Sequence, residues 1–597
     1  KMESFLSNRD VLLSFIMGLR FDLVICGYLM VLPFLLLTIY SINKNLLILK
    51  KVSFYFILIL FTLAFFVCAA DIPYYNQFHS RFSVTAFEWM GSPIFVLKMI
   101  VGEPRYWLYI IPFSISIYLF FKFLKKIFLE KEKTKQKIRV LPTILLSVAC
   151  LFIMMVGIRG RLARKSPIRT GTAYFSNNPF LNQLGLNPNF TLIRSYLDKI
   201  KEENKPIALM DNNTAIKNIQ RYFGFTSSDM KHPLQRTILA DSAGVKRNNV
   251  VIIIMESMSA GKMHRHGNKG YLTPFLDSLS KRGYYFENTF TAGIHTFNGI
   301  FSTLFSFPAL FRQHPMKGSA IPKYHGIGTT LKMDGYSTIY FTTHDGQFDN
   351  VEGFLKANDY DEVISEKDYP SSKVKSALGV PDDYMFEYSI PQLNTLSKKQ
   401  NPFLAVFMTA SDHGPYYVPS YFKPYSKDIK DQIVEYADYS LHKFITLASQ
   451  QPWFNNTLFV FVADHGAPLD NQYEVSLNYN HSPLIFYSPT IIPNPKSFSQ
   501  MAGQIDIYPT IMGLLGLPYV NNTLGIDLLK HQRPYIFFNA DDKYAVINQE
   551  WLLIVRKDKF TGLFHYNTHD LTNYAEAEKD TVEKMKTYAE SHLQAYQ

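Results

Sequence analysis

Val250-Val251-Ile252-Ile253-Ile254-Met255-Glu256 is the stretch from which the rest of the chain can be read. An unbroken apolar run, rich in β-branched residues, ends on a carboxylate. Such side chains pack well on a pleated surface. A run this short reads as a strand covered on both faces, the kind that builds mostly parallel sheets. Two further runs repeat the pattern. Leu458-Phe459-Val460-Phe461-Val462-Ala463 leads into Asp464-His465, and Phe403-Leu404-Ala405-Val406-Phe407-Met408 leads through Thr409-Ala410-Ser411-Asp412 to His413. In open α/β sheets, ligands bind in the crevice at the carboxyl ends of the strands. A carboxylate, an Asp-His pair and a further histidine delivered to that edge predict a divalent-metal hydrolase or transferase.

Around these runs the pattern from Asn248 onward is α/β. Strands are predicted at 338–342, 402–408, 458–463 and 484–487, with amphipathic helices between them, as at 274–282 and 432–450. Runs at 535–539, 544–547, 552–556 and 563–566 predict a small C-terminal antiparallel sheet, closed by a polar helix from about Asn573. Residues 159–245 read as a turn-rich connector (Asn177-Asn178-Pro179, Asn187-Pro188-Asn189) with one helix near 192–203.

The N-terminal part is different. Apolar, charge-poor runs at 21–40, 52–70, 106–124 and 140–158 have the length needed to cross a bilayer. Four in succession argue against buried core helices. Lys44, Lys50 and Lys51 follow the first run. Lys122, Lys125, Lys126, Lys131, Lys133, Lys135, Lys137 and Arg139, against Glu130 and Glu132, crowd the stretch 122–139 at and beyond the end of the third. Loops rich in Lys and Arg stay cytoplasmic, so 71–105 and everything after Ile158 are expected on the outer side. Residues 1–20 would then lie outside with no segment to carry them there. One more membrane helix before residue 1 is the expectation; a short exported tail is the alternative. Arg159, Arg161, Arg164, Lys165 and Arg169 read either as contacts to anionic headgroups or as a solvated connector.

The three cysteines, Cys26, Cys68 and Cys150, all fall inside the apolar runs, so the exported part holds neither a disulfide nor a cysteine nucleophile. The net charge of +12 owes much to the loop and juxtamembrane clusters and gives no support to nucleic-acid binding.

One segment supplies a nucleophile. In Ala292-Gly293-Ile294-His295-Thr296-Phe297-Asn298-Gly299-Ile300-Phe301, the apolar residues Ile300, Phe301, Leu304 and Phe305 have helical spacing. Thr296 therefore lies at or just before a helix N-terminus, where free N–H groups and the dipole favour negative charge. Its hydroxyl reads either as a helix cap or, beside a metal, as a group that ionises and attacks phosphorus.

Taken in order, the motifs resemble the alkaline phosphatase/sulfatase superfamily, and the whole layout resembles its lipoteichoic acid synthase-like branch. The resemblance rests on Met255-Glu256-Ser257, Leu272-Thr273-Pro274-Phe275-Leu276-Asp277-Ser278-Leu279, the Thr296 segment, Ser411-Asp412-His413, Ala463-Asp464-His465-Gly466, Asn480-His481-Ser482-Pro483-Leu484 and Gln504-Ile505-Asp506-Ile507-Tyr508-Pro509-Thr510. Gly18-Leu19-Arg20-Phe21-Asp22 resembles a motif that this branch carries after its first membrane helix.

The resemblance implies a helical transmembrane bundle (1–158), a juxtamembrane connector (159–245) and an exported α/β sulfatase-like domain (246–597) ending in the small antiparallel sheet. It implies one divalent metal, Mn²⁺ before Zn²⁺ or Mg²⁺, held by Glu256, Thr296, Asp464 and His465, with Thr296 as nucleophile. His413 and His481, each of which alone reads as a structural histidine, would contact the phosphoryl oxygens and help protonate the leaving group. His344 and Asp345 are candidate headgroup contacts, with a turn role as the other reading, and Asp349 is a further candidate.

Two features narrow the chemistry. Sulfatases mature a cysteine or serine within Cys/Ser-x-Pro/Ala-x-Arg; here the position is Thr296, followed by Phe297-Asn298-Gly299-Ile300. The cysteine-free exported part also differs from the disulfide-braced phosphoethanolamine transferases. There is one departure. Lipoteichoic acid synthases place a tryptophan and an arginine against glycerophosphate where this chain has Phe348-Asp349-Asn350-Val351, and an acidic Asp349 would suit an ammonium headgroup as well as a glycerol. The implied activity is transfer of a glycerophosphate headgroup from phosphatidylglycerol to a glycan or polymer acceptor through a phosphothreonine, on the extracytoplasmic side of a bacterial cytoplasmic membrane. Phosphoethanolamine transfer from phosphatidylethanolamine, and phosphodiester hydrolysis, are the alternatives. A non-catalytic exported domain has no need for both ligands and nucleophile.

Overall fold

The computed structural model describes residues 8–78, 81–84, 86–87, 104–129, 140–161, 167–176, 179–201, 205–227, 229, 231–242, 244–318, 321–399, 401–469, 472–541, 543–556, 561–568 and 570–597. The chain forms two compact units, Lys1–Lys201 with Gly318–Ile321, and Glu202–Lys317 with Pro322–Gln597.

The first unit is built on the helices Asn8–Ile42, Leu47–Phe78, Pro104–Leu129 and Val140–Arg159, each long and apolar enough to cross a membrane. The last has no buried residue, and Leu141, Leu146, Phe152 and Met155 are about two-thirds exposed. A helix apolar on every side is stable in lipid or a core, not in water. All four predicted runs are helical. The helix Asn8–Ile42 takes in residues 8–20, which were expected to lie outside it, and Gly18-Leu19-Arg20-Phe21-Asp22 lies within it. Asn187 Nδ2 donates to Asp22 Oδ1 (2.7 Å), and Arg20 Nη2 donates to the Gly160 carbonyl (2.9 Å). Phe21, Val24 and Ile25 pack on Ile168, Ala173, Leu186 and Phe190. Part of the predicted connector is therefore built into this unit. Its helix runs Pro188–Ile200, capped by Asn187, whose side chain accepts from the Asn189 and Phe190 N–H groups. The predicted loop charges at 130–139, Arg164, Lys165 and the Asn177-Asn178 turn lie outside the described residues.

The second unit contains the strands β1 (Arg236–Ile238), β2 (Asn249–Met255), β3 (Tyr284–Phe290), β4 (Ser337–Thr342), β5 (Glu362–Ile364), β6 (Phe403–Met408), β7 (Thr457–Ala463), β8 (Leu484–Tyr487), β9 (Lys496–Gly503), β10 (Tyr519–Asn521), β11 (Ile536–Ala540), β12 (Lys543–Ile547), β13 (Trp551–Arg556) and β14 (Thr561–His565). Among the described residues, eight of them form one sheet in the order β5-β4-β6-β2-β7-β8-β3-β9. β2, β6 and β7 are buried along their whole length, as their unbroken apolar sequences require. β2 lies between the other two in parallel register, Ile254 opposite Met408 on one side and Met255 opposite Ala463 on the other. The loops that follow these three strands therefore leave one edge side by side.

The sheet is mixed. β8 runs antiparallel to both β7 and β3. The chain after β7 stays at the site edge and re-enters the sheet from there, which puts His481 and Ser482 at the entry to β8. β11 to β14 form the C-terminal antiparallel meander. Met585, Tyr588, Ala589 and Leu593 of the closing helix, Lys579–Tyr596, pack into the same cluster as Val546 and Leu553 of the meander. That helix starts six residues later than the polar pattern suggested; Tyr574 instead bonds back through its N–H to Leu563.

Candidate active site and metal centre

Glu256 follows β2, and its N–H donates to Thr409 Oγ1 just beyond β6 (2.9 Å). Ser257 sits at φ 53°, in the left-handed region. From there its N–H donates to Asp464 Oδ1 (2.9 Å) and its hydroxyl to Glu256 Oε1 (2.8 Å). A strained backbone of this kind persists only where the surroundings hold it. Asp464 Oδ1 also accepts from the His465 N–H (2.7 Å). Asp464 Oδ2 is left buried with no hydrogen-bond partner. Gln504 Nε2 steadies this turn through the carbonyls of Ala463 (3.0 Å) and Asp464 (3.3 Å).

His465 lies with Nδ1 2.7 Å from the Gly466 carbonyl. A carbonyl only accepts, so the proton sits on Nδ1 and Nε2 keeps its lone pair. That nitrogen is 3.4 Å from Asp464 Oδ2 and 3.9 Å from Glu256 Oε1. The ring stacks on Tyr479 at 5.3 Å and 4°.

Thr296 opens the helix Thr296–Phe305, whose Ile300, Phe301, Leu304 and Phe305 are buried as predicted. The cap position is His295, so the Thr296 hydroxyl is not the cap. It lies 3.5 Å from Glu256 Oε2. His295 Nε2 pairs instead with Asp541 Oδ1 (2.8 Å), contributed by the turn between β11 and β12.

The donors fit a divalent cation. Ligand atoms of Glu256, Asp464 and His465 lie within 4.8 Å of one another. Burial, then the neighbouring Asp464, pushes the Glu256 carboxyl well above the usual carboxylate range. Two buried carboxylates, an orphaned oxygen and an imidazole lone pair converging on one point are what a hard or borderline divalent ion takes.

The remaining predicted residues have partners of their own. His413 is exposed beyond β6, with Nδ1 2.5 Å from the Gly414 carbonyl, so its Nε2 carries the lone pair. His481 has Nε2 2.8 Å from the Glu287 carbonyl, stacks on Phe290 and is held low by burial. Its remaining nitrogen, Nδ1, is thus an acceptor. His344 Nδ1 meets Thr342 Oγ1 (2.9 Å) beyond β4. Asp349 sits at φ 53° and pairs with Lys317 (2.5 Å) and His314 (3.5 Å). Burial raises its carboxyl, but His314 and Lys317 outweigh this and hold it well below its ordinary value. Its charge is already matched by Lys317 and faces the His314 ring.

Sequence reasoning missed several supporting groups. Asp412 was quoted only as the neighbour of His413. Its side chain is buried and paired with Lys262, whose Nζ also donates to the Ser257 carbonyl (2.8 Å). Burial pushes Asp412 up to about 6 despite that lysine. A lone lysine among small residues, Ser259-Ala260-Gly261-Lys262, was the available signal. Ser257, Thr409 and Gln504 carry no spacing that would mark them.

Residues 248–517 match the family model described as Sulfatase. The chain is 23% identical over 590 residues to lipoteichoic acid synthase of Staphylococcus saprophyticus, covering 91% of this chain and 84% of that protein. It is also 23% identical over 369 residues to lipoteichoic acid synthase-like YvgJ of Bacillus subtilis, covering 55% of this chain and only 56% of that relative's length. A Vibrio parahaemolyticus protein of the alkaline phosphatase superfamily has the same fold, with TM-score 0.59 and 23% identity over 66% of this chain and 97% of that one. The motifs, their order in the sheet and these matches agree: residues 248–517 match the Sulfatase family, and along most of its length the chain is similar to lipoteichoic acid synthases.

Proposed function

We propose that the protein moves a glycerophosphate headgroup from phosphatidylglycerol to a glycan or polymer acceptor, with Thr296 as the covalent carrier. The observation that carries this is the Thr296 hydroxyl at a helix N-terminus, 3.5 Å from Glu256 Oε2 and beside the donor set that includes the orphaned Asp464 Oδ2. Thr296 Oγ1 attacks phosphorus, a Thr–O–P bond forms, and the phosphorus–oxygen bond to diacylglycerol breaks. The alcohol leaves with a proton. An acceptor hydroxyl then attacks the phosphothreonine, releases Thr296 and takes the headgroup. Covalent catalysis suits a lipid donor and a polar acceptor that need not be bound together.

Glu256, Thr296, Asp464 and His465 would hold the cation, Mn²⁺ on this reading, which supplies charge stabilisation and lowers the pKa of the hydroxyl. His465, locked in one tautomer, keeps its ligand nitrogen available. The helix N-terminus at Thr296 favours the negative charge that builds on the nucleophile. His413, exposed and with its Nδ1 against the Gly414 carbonyl, would move protons to and from the exchanging alcohols through Nε2. Asp349, already paired with Lys317 and His314, weighs against using it to bind an ammonium headgroup. The boundaries 1–158, 159–245 and 246–597, with the catalytic part on the extracytoplasmic side, complete this reading. The membrane helices would keep the site close to its lipid donor.

The test is diacylglycerol release from vesicles of phosphatidylglycerol or phosphatidylethanolamine with Mn²⁺. Release from phosphatidylglycerol that Thr296→Ala abolishes is expected. Release only from phosphatidylethanolamine would overturn the donor, and equal release by Thr296→Ala would overturn the nucleophile.

A further inference from the structure

We infer that Lys262 is a positioning residue that clamps the two turns flanking the metal centre and balances its charge. The inference rests on the metal-centre reading above.

Two residues beyond the central strands have left-handed backbone that non-glycine residues rarely adopt: Ser257 after β2, at φ 53°, and Asp412 after β6, at φ 81°. One ammonium group holds both. Lys262 Nζ donates to the Ser257 carbonyl (2.8 Å) and pairs with the Asp412 carboxylate, and the side chains of Lys262 and Asp412 are each 7% exposed. A lysine is almost never buried this far unless its charge is matched. The Ser257 end of the clamp sets where the turn carrying the metal ligands stands relative to β6, while Ser257's own hydroxyl and N–H, bonded to Glu256 Oε1 and Asp464 Oδ1, keep those ligands in register with each other. The Asp412 end fixes the backbone next to His413. The clamp therefore sets how far His413 stands from Glu256 and Asp464.

Charge leads to the same residue. Glu256, Asp464 and Asp412 bring three carboxylates to this edge. One divalent ion and one ammonium group neutralise them. Without Lys262, Asp412 becomes an uncompensated anion where an anionic phosphodiester must approach.

The test compares full-length wild type, Lys262→Met, Asp412→Asn and the double variant, using Mn²⁺ binding by calorimetry and the kcat and KM of diacylglycerol release. In Lys262→Met, Mn²⁺ should bind about tenfold tighter, because a cation that repels it has gone, while kcat falls about 10–100-fold. Adding Asp412→Asn should return Mn²⁺ affinity to near wild type with kcat still reduced, because Met and Asn cannot join the two turns. A residue that merely supported the fold would weaken metal binding and turnover together. Weaker Mn²⁺ binding in Lys262→Met, or an unchanged kcat, would overturn the clamp. If Lys262→Met does not fold, the charge-neutral double variant decides: wild-type turnover in it overturns the proposal. A wild type that neither binds Mn²⁺ nor releases diacylglycerol would sink the proposed function before any variant is compared.

Discussion

Gly299 offers the sharpest test of how closely the proposed nucleophile, Thr296, is built against the proposed metal ligand Asp464. It lies in the first turn of the Thr296–Phe305 helix, and a Cβ there would sit 2.5 Å from both Cα and the carbonyl oxygen of Asp464. Ordinary contact begins near 3.4 Å, so Gly299→Ala must drive the helix and the Asp464 turn apart by about 0.9 Å, since neither backbone atom can rotate away. The stability change is small. Overpacking costs about 1–3 kcal/mol, and replacing a helical glycine by alanine returns about 1 kcal/mol. Turnover should suffer far more, because a misplacement of about 1 Å at a reacting centre costs about 10²-fold. The assay pairs a thermal melt with kcat for diacylglycerol release. A modest change in melting temperature with a kcat loss of about 10²-fold is expected. Wild-type kcat in Gly299→Ala would mean that the closeness of Thr296 to Asp464 has no bearing on the reaction.

Three further outcomes follow from the same geometry. Ser257→Ala removes the hydroxyl that orients Glu256 Oε1, and Mn²⁺ titration of activity should show about 10–100-fold weaker activation. Arg533 grips Asp506 with Nε and Nη2 at 2.6–2.9 Å in a fully buried pair. Arg533→Met, measured by urea unfolding, should lose about 3–5 kcal/mol by leaving that buried carboxylate without its cation. His592 is fully buried, its Nε2 has no partner, and burial, then nearby Arg533, pushes it down to about 3. It stays neutral in the folded state while the unfolded chain takes up a proton below about 6.5. Its contribution is therefore fully present above pH 6.5 and falls as pH drops towards 3. Between pH 7 and 5, wild type should lose about 2 kcal/mol more than His592→Phe, and parallel losses in the two proteins would contradict this.

The parts legible in the sequence share one property: a local pattern that burial enforces. β2, β6 and β7 were readable because strands covered on both faces must be apolar throughout. Glu256, Asp464 and His465, the proposed ligands, and Thr296 were readable because each stands at the end of such a run or at a helix start. The direction of β8 was not readable. Leu484-Ile485-Phe486-Tyr487 looks the same in either orientation, and only the path after Asp464 decides it. The pairing of Asp349 was hidden because Lys317 lies 32 residues away in sequence, and the Lys262–Asp412 pair spans 150 positions. His481 kept its motif, yet its Nε2 is taken by the Glu287 carbonyl, a contact that no sequence pattern encodes. Family motifs thus located the cluster, while the groups that orient it came from long-range contacts between loops.

The central claim is a covalent headgroup on Thr296, and intact-protein mass spectrometry with peptide mapping tests it most directly. The full chain is incubated with Mn²⁺ and phosphatidylglycerol without an acceptor, with Thr296→Ala alongside. The account predicts a glycerophosphate adduct on Thr296 in the wild type and none in the variant. An unmodified wild-type chain that consumes lipid as fast as Thr296→Ala would contradict it.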